Sequence, residues 1–136
     1  MTQSKSDIMF KEAEELSRKS DRLLLEADIL TKKFPDMLEE ISACDRNKSW
    51  HKRKGLDLAE QAVKLGKKKK HKAESDNLWT QGTDHYRESE TAESDRKRLT
   101  EEYTALWMEV NYLRQCGDKL REKARKLYIK SCEKLT

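Results

Sequence analysis

The chain has 136 residues, of which 35% are hydrophobic and 41% charged, and its formal net charge is +4. Ordinary globular domains carry roughly 45–50% apolar and about 25% charged residues, so little surface is available for burial here and long, slender helices in one folding unit over residues 1–136 are expected. One proline and four glycines are too few to punctuate many short strands, no apolar run approaches the ~18 residues of a membrane span, and the N-terminus turns acidic before a signal-peptide core could form.

The first element has start signals at Ser4 and Ser6 and runs as one helix to the break at Phe34-Pro35. Steps of four and three from Met9 give Met9, Ala13, Leu16, Ser20, Leu23, Ala27, Leu30 and Phe34, a heptad seam in which leucine-type residues alternate with small ones. Ile8, Phe10 and Leu24 widen it, which suits a bundle with more than one neighbour rather than a bare two-stranded coil.

Pro35 suits a first helical turn, and Asp36, Glu39 and Glu40 put negative charge where the helix dipole favours it. The polar run "DRNKSWHKRKG" is expected to end this second helix near Cys44 or make it irregular. In "GLDLAEQAVKLG" a helical face returns, with Gly66 as its stop. After the lysines, residues 73–95 read as a weakly patterned acidic helix, either separate or continuous with its neighbours.

The last segment is the best patterned. Leu99, Leu106, Leu113, Leu120 and Leu127 recur at every seventh residue, alternating with Tyr103, Val110, Gly117, Ala124 and Ser131. Small residues let backbones approach closely, so the first and last helices are expected to pack along these faces, with Trp107 and Tyr128 reaching a third helix. Five heptads also allow self-association.

Charge alternates along the chain: −4 over residues 1–45, +9 over 46–72, −6 over 73–95 and +5 over 96–136. Antiparallel neighbours of opposite sign would then neutralise part of the basic segment. That segment, 46–72, reads first as a solvated joint that is partly a loop. Its other two readings are a nuclear address and a polyanion contact through Lys52, Arg53, Lys54, Lys67, Lys68, Lys69, Lys70 and Lys72.

No catalytic or cofactor pattern emerges. The Gly66 run lacks the second glycine and the Ser or Thr of a phosphate loop, and His51, His71 and His85 have no zinc-ligand spacing. The three cysteines, Cys44, Cys116 and Cys132, form no CxxC pair, and an odd number fits reduced thiols in the cytoplasm or nucleus. Trp50, Trp79 and Trp107 read as core or groove aromatics ahead of base-stacking platforms.

The expectation is an all-α antiparallel bundle of about four helices with coiled-coil character, acting without enzymatic activity, cofactor or metal as an adaptor or scaffold. Its partner would be another helical protein held on the seam of Leu16, Leu23, Leu30, Leu99, Leu106, Leu113, Leu120 and Leu127. The alternative is a nucleic-acid-binding protein gripping phosphates with residues 46–72.

Overall fold

In a computed structural model of the chain, residues 4–133 are described, and they form three α-helices and one 3-10 turn: α1 Lys5–Thr31, α2 Phe34–Gly66, the turn Lys69–His71, and α3 Lys72–Glu133. The described residues contain no strand. Helix α1 begins where Ser4 accepts the backbone N–H of Asp7 on its hydroxyl at 3.1 Å, a side-chain cap that satisfies an orphan donor. It closes at a tight turn in which the Lys32 and Lys33 N–H groups donate to the carbonyls of Ile29 and Leu30. Phe34 then opens α2, with Pro35 in its first turn, where a missing N–H has no intrahelical partner to lose.

Two expectations need correction. Helix α2 does not end or loosen near Cys44; it runs on to Gly66, so the basic segment is helical over 46–66, and three of residues 67–71 form the 3-10 turn. Nor are there four helices: residues 73–95 and 96–133 belong to the single helix α3, because nothing between them breaks the hydrogen-bond ladder and an internal Gly82 costs only about 1 kcal/mol. The stop at Gly66 is present, but no glycine of the described residues adopts positive φ. Gly66 instead makes room, since a β-carbon there would stand 3.2 Å from the Ser75 hydroxyl.

The chain divides into two compact units, Met1–Phe34 with Thr104–Thr136, and Pro35–Tyr103. In the first, α1 packs antiparallel on the C-terminal part of α3. Ser6, Ala13, Ser20, Ala27 and Phe34 are buried, and so are Val110, Gly117, Ala124 and Ser131. Both series step by seven, one forward and one back. Hydroxyls fix the register: Ser6 donates to the carbonyl of Ser131 at 2.8 Å and Ser20 to that of Gly117 at 2.6 Å. A short side chain can reach the opposite backbone only if the helices lie close, which is what seams of Ser, Ala and Gly permit.

In the second unit, α2 packs antiparallel on the N-terminal part of α3 by the same rule. Ser75 donates to the carbonyl of Ala62 at 2.7 Å, and Gly55 and Gly82 meet backbone to backbone. Between these layers and Ile41 the seam turns polar, with Lys48 and Arg96 at positions that small residues fill elsewhere. Lys48 reaches Glu93 at 2.8 Å, and Arg96 reaches Glu93 at 2.9 Å and Asp45 at 3.2 Å. One step along, His51 and His85 share a hydrogen bond between their Nδ1 atoms at 2.9 Å.

Candidate protein-interaction face

Which side chains remain for a partner follows from the seam. Three residues past a seam position, an α-helix has turned to about 60° on one side, and four residues past it to about 40° on the other. Because the paired helices are antiparallel, equal steps on both bring side chains to the same side of the two-helix layer. In the first unit the three-residue step yields Leu16, Leu23 and Leu30 from α1 and Leu106, Leu113, Leu120 and Leu127 from α3. All seven are half-buried. The register set by Ser20 and Gly117 puts Leu23 across from Leu113, Leu16 across from Leu120 and Leu30 across from Leu106. Of the sequence-derived seam, only Leu99 lies outside this unit; it is half-buried in the second.

The four-residue step leads to the opposite side, which is closed by contacts within the chain. Phe10 meets Tyr128 edge to face at 5.4 Å, and Phe34 stacks on Trp107 at 4.6 Å. Arg121 pairs with Asp21 at 3.8 Å and Arg114 with Asp28 at 3.7 Å. Tyr128 therefore finds its partner on α1, and Trp107 finds its partner in Phe34, the first residue of α2. The leucine side has no comparable cover among the described residues.

In the second unit the leucine row is interrupted by Cys44, His51, His85 and Ala92, and the other side carries the exposed Trp79 and Tyr86. Lys52, Leu56, Trp79 and Tyr86 line a groove of about 230 Å³ over the Gly55–Gly82 contact. Trp79 is 47% exposed, and Trp50 packs edge to face against His51 and His85 while remaining largely open. The structure thus divides the tryptophans, with Trp107 half-buried in a stack and the other two exposed.

Lys52, Arg53, Lys54, Lys67, Lys68, Lys69, Lys70 and Lys72 are all exposed, and none is in an ion pair among the described residues. Among the described residues the basic segment meets acid at Arg46 with Glu39 and Lys48 with Glu93, and His71 stands 3.4 Å from Glu74, an ion pair only when the imidazole is protonated. Within that cluster, hydrogen bonds from Arg96 and then Lys48 pull the Glu93 carboxyl down from its ordinary 4.5 to about 2, and Glu93 in turn raises Arg96.

Among the described residues no helix is long and apolar enough to cross a membrane, and no group of three or more His, Cys, Asp or Glu is placed to hold a metal ion. Cys44, Cys116 and Cys132 are free thiols. The chain matches no protein-family model, no curated protein and no solved structure.

Sequence reasoning found the leucines but not the ion cluster, the histidine pair or the aromatic groove. The available signal was the seven-residue spacing of Gly55 with Ala62 and of Ser75, Gly82 and Ser89, the same rule already visible in α1.

Proposed function

We propose that the chain is a non-enzymatic helical interaction module, an adaptor or scaffold that docks another helix on the leucine side of its first unit. The observation that supports this is the gathering of Leu16, Leu23, Leu30, Leu106, Leu113, Leu120 and Leu127 on one side of a two-helix layer, all half-buried. A two-helix layer buries its small-residue seam and leaves the next row to a further helix, and packing into such a groove supplies affinity through apolar burial. The variant Leu113→Glu/Leu120→Glu tests it. Association in native extract should be lost while circular dichroism shows the helices intact; unchanged partner recovery with unchanged helicity would refute it.

A second reading rests on the exposed, unpaired lysines of the α2–α3 connection beside the aromatic groove, a combination suited to phosphates and stacked bases. It requires a salt-sensitive shift of RNA or DNA that weakens when Lys67 to Lys70 are replaced by Gln. Absence of any shift at low salt would dismiss it.

A further inference from the structure

The leucine side is flanked by charges with a pattern of its own. Three residues beyond each leucine-row position, a further ~60° round the helix, α1 carries Glu12, Lys19 and Glu26, and Lys33 follows at the same spacing in the turn that closes the helix, so the signs alternate at seven-residue intervals. On α3 the same step gives Glu109, Cys116, Lys123 and Lys130, of which Glu109 and Lys123 stand symmetrically about Cys116. The seven charged residues are exposed, and none has an ion-pair partner among the described residues. On the other side of the layer the charges are used within the chain, Asp21 by Arg121 and Asp28 by Arg114.

This alternation complements itself when reversed. Laid antiparallel on a second α1, Glu12 meets Lys33 and Lys19 meets Glu26; laid antiparallel on a second α3, Glu109 meets Lys123. The α1 reversal centres between Arg22 and Leu23 and the α3 reversal on Cys116, and in the register that sets Ser20 against Gly117 both levels lie within about one helical turn of Leu23 and Leu113, which face each other. One two-fold axis across the helices therefore serves both, and it also sets the row of Leu16, Leu23 and Leu30 against its own copy. Self-complementarity about one axis is the requirement for an isologous contact, and flanking charges are what choose orientation in helical assemblies.

We propose that the occupant of the leucine face is a second copy of this chain, bound antiparallel through a two-fold axis near Leu23 and Leu113. This rests on the leucine side being a docking face and names its partner. Two leucine grooves face one another and enclose a four-helix core, with the charge rows closing its margins.

Sedimentation equilibrium of the full chain decides it, with helicity of every variant checked by circular dichroism. The native chain should be dimeric. Lys19→Glu alone and Glu26→Lys alone each create two like-charge encounters about the axis and should weaken the dimer by about tenfold, and an equimolar mixture of the two should regain native affinity by pairing the variants with each other. A dimer indifferent to these charges would overturn the antiparallel arrangement, and Leu113→Gln would then show whether the leucine face is used at all. A native chain that stays monomeric at every concentration would overturn the second copy as occupant, leaving the docking face to be judged by partner recovery with Leu113→Glu/Leu120→Glu.

Discussion

Gly55 and Gly82 face each other across the second unit so closely that a β-carbon on Gly55 would stand 3.0 Å from the Gly82 carbonyl oxygen, and one on Gly82 would stand 3.1 Å from that of Gly55. Both obstacles are backbone atoms, which cannot swing aside as a side-chain tip can. Glycine to alanine in the middle of an exposed helix ordinarily stabilises by about 1 kcal/mol. Here the sign should reverse: Gly82→Ala should lose about 1–3 kcal/mol through overpacking, and Gly55→Val more. Urea denaturation followed by circular dichroism checks it, and a rise in stability for Gly82→Ala would show that the helices are not in this contact.

Ser20 makes the corresponding contact in the first unit, its hydroxyl donating to the Gly117 carbonyl at 2.6 Å from a position 1% exposed. Ser20→Ala preserves the close approach and removes the bond, so a loss of about 0.5–1.5 kcal/mol is expected. Ser20→Leu forces the backbones apart and should cost more. Equal unfolding midpoints for the native chain and Ser20→Leu would contradict a close-packed seam.

The Lys48–Glu93–Arg96 cluster gives the second unit an acid-sensitive layer. Because the Glu93 carboxyl is lowered in the folded chain from 4.5 to about 2, its contribution is complete above pH ~4.5 and is lost as the pH falls toward about 2. Glu93→Gln removes the charge that Lys48 and Arg96 share, so it should be less stable at neutral pH and should flatten the acid limb of the stability profile. Urea midpoints across that range measure both effects; parallel profiles for the two proteins would show that Glu93 is not held as its contacts imply.

Much of this architecture can be read from the residues alone. Ser4 announces the first helix and Gly66 the end of the second, and the heptads of α1 and α3 pair as their small residues suggest. What misleads is the weight given to glycine and to polar runs as stops. "WHKRKG" continues as helix because Gly55 is a seam residue, placed for approach to Gly82, and Lys48 finds Glu93 on the opposite helix. These are tertiary reasons, invisible at the position itself. The leucine row misleads differently. Leucines draw the eye as the core, yet the fully buried line is the row of Ser, Ala and Gly three residues away, because only small side chains let two helices come close enough to fill the space between them. What remains of the leucines is a half-covered face, and the alternation of Glu12, Lys19, Glu26 and Lys33 acquires meaning only once that face is located.

Oxidative footprinting of the full chain in dilute and in concentrated solution tests the docking face most directly, since it reads side-chain cover residue by residue. In the associated state Leu23, Leu113 and Leu120 should become protected while Trp107 and Tyr128, on the closed side of the same unit, keep their reactivity. Protection of Trp107 and Tyr128 with the leucines unchanged would contradict it.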